Sequence, residues 1–289
     1  MEKILTWFEN FILSILSLIK VIILSKPGIR IPHVADDKQL IILGNGPSLT
    51  KQISGLDNPQ SFDLMSVNNF PATEMFERVK PGIHIMLAPE YFIEGVNDNY
   101  IDIRNNLYNA LYEKTDWPLI LFLPVFAKKY KALFSHVLNN SNIKILYFNA
   151  TPVEGFDAFM FWLMRRNLGM PRPHNVLIPA ILLGLNMKYK SIGLMGADHS
   201  WLKNLWVDEG NRVLLIQKHF YDENSAQAKP MLMKGKNERN LHEVLYKFYI
   251  SFKSYFLLRA YSSKLQSEII NLTRGSYIDA FKRADKLIN

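Results

Sequence analysis

Leu40-Ile41-Ile42-Leu43-Gly44-Asn45-Gly46-Pro47-Ser48-Leu49 is the stretch that decides the fold. Its four uncharged apolar residues predict a buried parallel strand, and the glycine turn predicts an entry into a helix capped by Ser48. Glycine lets backbone N–H groups approach an anion, and a helix start offers unpaired donors. Two interpretations remain open here: a phosphate site, or the plain corner of a doubly wound fold. The turn lacks the Lys-Ser/Thr of a P-loop and the third glycine of a dinucleotide fingerprint, which argues against both of those sites.

The composition predicts a folded protein with acidic partners. The chain has 289 residues, of which 48% are hydrophobic and 12% aromatic, so it can bury one large core. It has no cysteine, which excludes disulfides and thiolate metal sites. A net charge of +8 favours anionic lipid or phosphorylated substrates. The basic residues are scattered and carry no nucleic-acid-binding signature, so we expect no nucleic-acid partner.

Residues 1–26 predict an amphipathic helix that associates with a membrane. Polar residues recur at three- and four-residue steps, on one narrow helical stripe, and the other faces are apolar. The stripe comprises Lys3, Thr6, Asn10, Ser14, Ser17 and Lys20. The apolar run is shorter than the roughly 20 residues that span a bilayer, which favours a helix lying in the membrane surface through residues 1–24. We expect a peripheral or monotopic protein on the cytoplasmic face of the inner membrane; packing of this helix on the protein's own core is the alternative. Residues 27–38 predict a linker.

The remainder, residues 39–289, predicts a Rossmann-like α/β domain with an open, mainly parallel sheet and helices on both faces. Beyond the opening strand, further strands are expected at Phe62–Val67, His84–Ala88, Trp117–Val125 and Ile143–Phe148. The carboxyl ends of parallel strands gather functional groups, and here they carry Asn45, Asn68, Asn69 and Glu90. Asparagine after a strand is also a common turn former, so a nucleotide pocket and simple turns both fit this pattern.

A second strand-to-turn junction holds the richest polar cluster. A buried helix is predicted from Asn175 to Lys188, followed by the strand Ser191–Met195 and then by Gly196-Ala197-Asp198-His199-Ser200-Trp201. These groups at a strand end are better explained by a site than by a helix cap alone.

The C-terminal third predicts a lid and three further elements. Residues 202–240 predict a lid that contains the strand Val213–Gln217 and His219. A helix whose aromatic stripe belongs to the core is expected from Leu241 to about Ser263. A last strand, Glu268–Leu272, leads into Thr273 and Ser276, and an amphipathic helix is predicted over Tyr277–Leu287.

These motifs in this order resemble the bacterial sialyltransferases of the Campylobacter lipooligosaccharide type. The wider group also contains the motility-associated glycosyltransferases and hydroxymethylpterin diphosphokinase-like proteins. The resemblance covers roughly Leu40 to Ser276. It rests on Ile42–Leu49, Val67–Phe70, Gly196–Asp198, His219 and Thr273–Ser276.

The resemblance implies a CMP-sugar donor and a metal-independent inverting transfer with no cofactor, in which His219 takes the proton of the acceptor hydroxyl. It implies Gly44, Asn45, Gly46 and Ser48 near the phosphate or ribose, Asn68 on the base or ribose, and Asn175 near the sugar or phosphate. Asp198 and His199 join His219 as predicted catalytic residues. Further predicted binding residues at the same strand ends are Pro47, Asn69, Glu90, Gly196, Ser200, Thr273 and Ser276.

The chain departs from the sialyltransferases that it resembles after Gly196-Ala197-Asp198. Those relatives use tyrosine hydroxyls there to stabilise the leaving phosphate, whereas this sequence has His199, Ser200, Trp201 and Lys203. The sugar is therefore open between sialic acid and a Kdo-like keto sugar.

The predicted function is a glycosyltransferase that builds a cell-surface glycan or modifies a lipid-linked acceptor. A pterin-alcohol pyrophosphokinase is the alternative enzyme, and it would hold Mg²⁺ on carboxylates such as Asp198 and Glu90. A non-catalytic nucleotide- or glycan-binding protein is the alternative outside enzymes.

Overall fold

A computed structural model describes residues 1–34, 37–54, 62–96, 98–221, 227–233 and 237–287. The helices are α1 Glu2–Leu24, α2 Leu49–Ser54, α3 Met75–Val79, α4 Asp98–Lys114, α5 Asp157–Arg165, α6 Leu177–Asn186 and α7 Leu241–Lys264. The strands are β1 Gln39–Leu43, β2 Asp63–Val67, β3 Ile83–Ile85, β4 Leu119–Pro124, β5 Ile143–Phe148, β6 Ser191–Met195, β7 Leu205–Val207, β8 Val213–Leu215, β9 Lys229–Pro230, β10 Leu232–Met233, β11 Asn237–Glu238, β12 Glu268–Asn271 and β13 Lys282–Arg283.

The main sheet has eight strands in the order β13-β12-β6-β1-β2-β3-β4-β5, and every described pairing in it is parallel. The chain builds outward from β1 to β5 and then returns to place β6 on the other side of β1, with Leu43 opposite Met195. The direction of winding therefore reverses between β1 and β6. In open α/β sheets, ligands bind in the crevice at the carboxyl ends of the strands beside such a reversal.

Helices cover both faces of this sheet. Successive residues of β1 point to opposite sides, so Leu40 and Ile42 pack into a core with α5, α6 and α7, whereas Ile41 and Leu43 pack with α2 and α4. The helix α7 begins at a capping box, in which the backbone amide of Asn240 donates to Glu243 Oε2 at 2.8 Å. The predicted Rossmann-like fold, with its open parallel sheet, is confirmed.

The predicted lid is partly built of short strands. The strands β7, β8 and β9 form a small antiparallel sheet, and β10 pairs with β11. Val213 and Leu215 of β8 pack on Val244 and Phe248 of α7, so this sheet has its own small core. Residues 222–226 and 234–236 of the predicted lid lie outside the described residues.

The helix predicted over Tyr277–Leu287 is wrong. This segment contains β13, which extends the edge of the main sheet by pairing Ile270 with Lys282. Tyr277, Phe281, Ala284 and Leu287 recur at the three- and four-residue steps of a helix, but Phe281 and Leu287 are buried against the sheet from an irregular chain. The side chain of Asn271 donates to the carbonyl of Ile278 and fixes this path.

The N-terminal helix α1 docks through its polar stripe. Ser17 Oγ donates to the carbonyl of Glu154 at 2.8 Å and accepts from the amide of the same residue. Ser14 Oγ accepts from the amide of Phe156 at 3.1 Å, and Lys20 Nζ lies 3.7 Å from Glu154 Oε2. The packing on the body uses these polar contacts together with Val21, which is buried in the main core, and Trp7, whose ring lies 5.8 Å from that of Phe156.

The apolar faces of α1 remain exposed to solvent. Trp7 is 52% exposed and Ile22 is 73% exposed. Within the described part of the chain, α1 alone is long and apolar enough to cross a membrane, judged by length and by its mean hydropathy of 1.9.

Candidate functional site

The turns that follow β1 and β6 contact each other at the reversal of the sheet. The amide of Gly44 donates to the carbonyl of Met195 at 2.8 Å, and the amide of Gly46 donates to the carbonyl of Gly196 at 2.8 Å. A Cβ on Gly44 would lie 2.6 Å from the carbonyl oxygen of Gly196, which itself has φ of +61°. Glycine is therefore needed so that the two backbones can approach, and these two amides are not available to cradle a phosphate.

Asp198 occupies the start of α2. Ser48 Oγ donates to Asp198 Oδ2 at 2.8 Å, and the Ser48 amide lies 3.4 Å from the same oxygen. Burial raises the pKa of the Asp198 carboxyl, and its bonds with Ser48 oppose that rise. Ser48 was predicted to cap α2 and to bind the ligand, but its hydroxyl serves Asp198. The phosphate position predicted from the glycine turn is thus filled by a carboxylate of the chain.

A cavity of about 530 Å³ opens at the carboxyl edge of the sheet, directly above the two turns. Its volume lies in the range of small-molecule sites. Of the predicted site residues, the structure places Gly44, Asn45, Gly46, Pro47, Asn68, Glu90, Asn175, Gly196, Asp198, His199, Ser200 and His219 around it. Residues from the first strand end, the second junction and the lid therefore meet in one place.

The other predicted binding residues, Ser48, Asn69, Thr273 and Ser276, are not part of this lining. Asn69 Oδ1 accepts from the hydroxyl of Tyr91 at 2.9 Å. Thr273 Oγ1 accepts from the amide of Ala197 at 3.0 Å, and Ser276 Oγ donates to the carbonyl of Ala197 at 2.6 Å. The two hydroxyls hold the turn after β6 from behind, so the structure gives them a supporting position.

Two asparagines line the β1–β2 side of the cavity. Asn45 Nδ2 donates to the carbonyl of Val67 at 3.2 Å, while Asn45 Oδ1 is buried without a hydrogen-bond partner among the described residues. Asn68 has φ of +49°, a conformation that asparagine tolerates better than most residues. Its Oδ1 lies 3.4 Å from the amide of Leu87. Burying an acceptor without a donor costs folding free energy. Asn45 Oδ1 is therefore a candidate ligand contact.

A hydrogen-bond chain orients Asn175 on the opposite wall. Asn175 Oδ1 accepts from the amide of Leu177 at 3.0 Å and from the hydroxyl of Tyr255 at 3.0 Å. Because the Tyr255 hydrogen is used in this way, His199 Nε2, 2.6 Å from the Tyr255 oxygen, must carry a hydrogen and donate it. The Asn175 side-chain nitrogen is buried and unpartnered within the described chain.

His199 was predicted to be catalytic, and the structure gives it a different position. Burial lowers the pKa of His199 to about 3, so the ring is neutral at pH 7 and is a weak base. Among the described residues, its hydrogen bond is to the Tyr255 hydroxyl. His199 is therefore placed to position Asn175 through Tyr255. Sequence reasoning assigned Tyr255 to the core of α7, where it is indeed fully buried.

His219 reaches the cavity because the segment after β8 is anchored to the first turn. The amide of Phe220 donates to the carbonyl of Asn45 at 3.0 Å, and its ring lies 5.5 Å from that of Phe70. His219 lines the cavity and stacks on Tyr221 with ring centroids 5.0 Å apart. One imidazole is thereby held over the junction of the two strand ends.

His174 and Lys247 are among the lining residues that sequence analysis missed. His174 precedes the predicted Asn175, and its Nε2 is buried with no partner in the described residues. Lys247 lines the cavity from α7, a helix whose aromatic stripe predicts a core position. A lysine between Tyr246 and Phe248 was the available signal, since a charged residue within an apolar stripe requires an explanation.

No three His, Asp or Glu side chains of the described residues form a group that could hold a metal ion. Asp198 and Glu90, the carboxylates considered for Mg²⁺, both line the cavity. One oxygen of Asp198 is bonded to Ser48.

Comparison with known proteins assigns no family. No protein-family model matches the sequence, and no curated protein matches it. The solved structure of the sialyltransferase CstII from Campylobacter jejuni, in complex with the substrate analogue CMP-3FNeuAc, is similar over 85% of this chain and 85% of its own, with 15% identity and a TM-score of 0.40. A likeness of this degree assigns no function to the chain, whose interpretation rests on the cavity and the sequence motifs.

Proposed function

We propose that this chain is a glycosyltransferase that transfers a sugar from a CMP-activated donor to a hydroxyl of a cell-surface glycan or a lipid-linked acceptor. The observation that carries the proposal is the cavity of about 530 Å³ at the reversal of the sheet, whose lining includes Asn45, Asn68, Asn175 and the lid residue His219. Ligand sites of open α/β sheets lie at this place in the fold.

The polar lining suits a nucleoside. Asn45 offers an unpartnered acceptor and Asn175 an unpartnered donor, both among the described residues. Ribose hydroxyls and a base edge supply both complementary groups. Cytidine as the base, and sialic acid or a Kdo-like sugar as the transferred group, follow from the resemblance of the motifs around Gly44–Ser48 and Gly196–Asp198.

The proposed reaction is a single inverting displacement. The acceptor oxygen attacks the anomeric carbon, the bond from that carbon to the phosphate oxygen breaks with its electron pair, and CMP leaves. His219 takes the proton of the acceptor hydroxyl, as a general base must. The proposed transfer uses no metal, because protein donors stabilise the leaving phosphate.

A thermal-shift screen tests the nucleotide. CMP without metal is expected to raise the melting temperature more than UMP, GDP or ATP, because a ligand stabilises the folded state only to the extent that it binds it. At a hundred times its Kd, a ligand adds about 2.7 kcal/mol. Stabilisation by ATP only with Mg²⁺ would contradict the proposal and favour the pterin pyrophosphokinase. Binding of CMP without turnover of any CMP-sugar would indicate a binding protein.

A membrane-bound acceptor fits the exposed surface of α1. Soluble proteins rarely leave a large contiguous apolar surface in water, and such surfaces mark membrane or protein contacts. Exposed members of the surface are Ile4, Leu5, Phe8, Phe11, Ile12, Ile15, Leu16, Ile19, Ile22 and Ile23. Since the polar stripe binds the domain, the helix would hold the body at the bilayer, which we place at the cytoplasmic face of the inner membrane.

Charges on the exposed face of α1 are expected to release the protein from vesicles. Each glutamate in Ile12→Glu/Ile15→Glu would cost about 2 kcal/mol or more in an apolar environment, so vesicle binding should fall at least about a hundredfold. The control Lys51→Gln/Lys131→Gln changes the net charge equally at exposed positions of the body. Co-sedimentation with vesicles that contain anionic lipid measures both, and equal loss of binding in the two variants would contradict an apolar contact.

A further inference from the structure

The donor phosphate needs a position other than the glycine turn. Gly44 donates its amide to the carbonyl of Met195 and Gly46 donates to that of Gly196, while Asp198 Oδ2 accepts from the Ser48 hydroxyl at the start of α2. A phosphate placed there would meet a carboxylate, which repels it. The anionic group of a ligand in this cavity must therefore lie against another wall.

The opposite wall carries positive charge. Lys247 of α7 lines the cavity and is half-buried. Among the described residues, Lys247 forms no ion pair with a carboxylate. Burial and the neighbouring Arg239 lower the pKa of Lys247, and Glu90 opposes this. A half-buried ammonium without an ion-pair partner is unfavourable on its own and favourable when an anion arrives.

His174 and Asn175 adjoin this lysine with unsatisfied polar atoms. His174 Nε2 and Asn175 Nδ2 are both buried, and neither has a hydrogen-bond partner in the described parts of the chain. Burial, Lys247, Arg172 and Arg239 lower the pKa of His174 to about 4, whereas Glu154 raises it. The imidazole is therefore neutral at pH 7, and the positive potential around it comes from the three cations.

We propose that Lys247 and His174, beside Asn175, form the subsite that binds the phosphate of the nucleotide. This inference rests on the proposed function, because it assigns the phosphate of the CMP donor to that wall. Lys247 supplies the charge, and Asn175 Nδ2 and the His174 ring supply hydrogen bonds. In the sialyltransferases that the chain resembles, tyrosine hydroxyls after this turn stabilise the leaving phosphate. This chain has His199 and Ser200 there, and in our proposal the Lys247 subsite takes over that role.

The test compares CMP with cytidine, which differ only in the phosphate. Isothermal titration of the full chain should show tighter binding of CMP than of cytidine. In Lys247→Met, which keeps the apolar stem, the affinity for CMP should fall about tenfold to a hundredfold, the usual contribution of a charge-assisted hydrogen bond. The affinity for cytidine should stay unchanged.

Matched variants separate charge from packing. Lys253→Met removes a lysine of the same helix that lies 5.8 Å from the Tyr249 ring centroid and outside this cavity. It is expected to leave the CMP-to-cytidine ratio unchanged. Lys247→Arg retains the charge and should keep most of the preference for CMP. Circular dichroism of each variant verifies the fold.

The outcomes distinguish the subsite from the proposed function. If CMP and cytidine bind the wild-type chain and Lys247→Met leaves their ratio unchanged, the subsite is wrong and the nucleotide stands. An effect seen only with a CMP-sugar that carries a carboxylate would place that carboxylate at Lys247, which also overturns the assignment. If neither CMP nor cytidine binds, the proposed function fails. Inorganic phosphate is then the probe, and its binding must depend on Lys247 for the subsite to stand.

Discussion

Replacing Gly44 with alanine is expected to destabilise the protein by about 3 kcal/mol, the upper range for overpacking a well-packed interior. The added Cβ would lie 2.6 Å from the carbonyl oxygen of Gly196 and 3.1 Å from that of Met195. Both neighbours are backbone atoms of the adjacent central strand or its turn. Neither can move aside as a flexible side chain would, so β1 and β6 would have to separate.

Denaturant unfolding measures this effect, as a lower midpoint with an unchanged slope. Gly82→Ala is the matched control, because a Cβ there would meet no atom within 4 Å and its φ is not positive. Its stability should stay within about 0.5 kcal/mol of the wild type. If both variants lose equal stability, the contact of the two turns is not what requires glycine at position 44.

The same contact shows where sequence reasoning succeeds and where it stops. The apolar run at Leu40–Leu43 and the glycine turn are local signals, and they predicted β1 and the corner after it correctly. The hydrogen-bond partners of the Gly44 and Gly46 amides are not local, because they lie about 150 residues away, at the end of β6 and in the turn after it. The pairing of β1 with β6 creates both the crevice and the bonds that exclude a phosphate from the turn.

The C-terminal segment shows the converse limit. Phe281, Ala284 and Leu287 have helical spacing, yet the free edge of β12 offers backbone partners that a short helix would leave unpaired. Pairing across the sheet overrides a local period when the sheet has an open edge. Sequence analysis missed Lys247 for a related reason, because only the elements that pack on α7 show which of its faces lines the cavity.

The two histidines His199 and His219 lie in different environments in the site. Burial lowers the pKa of His199 to about 3, and its Nε2 is bonded to Tyr255, so it is placed to orient the Asn175 amide. His219 lies at the edge of the cavity on a segment bonded to Asn45 through Phe220. His219, the imidazole on the lid, is therefore the one that we propose as the base.

Replacing His219 with alanine is therefore expected to lower the rate of sugar transfer by about a hundredfold to ten-thousandfold, the usual contribution of a general base. The affinity for CMP should change little, because CMP lacks the acceptor hydroxyl on which this base acts. Steady-state transfer from a CMP-sugar measures the rate, and calorimetric titration with CMP measures the affinity. A loss of rate without a loss of affinity identifies an interaction made in the transition state.

Two further variants decide between a chemical and a structural role for His219. His219→Gln keeps a planar hydrogen-bonding side chain but cannot take the proton, so it should be as slow as the alanine variant. His33→Ala removes an exposed histidine outside the cavity and should transfer sugar at the wild-type rate. If glutamine restores the rate, His219 only positions substrate or lid. If alanine leaves transfer intact, another group takes the proton, and the imidazole above the two strand ends is not the base.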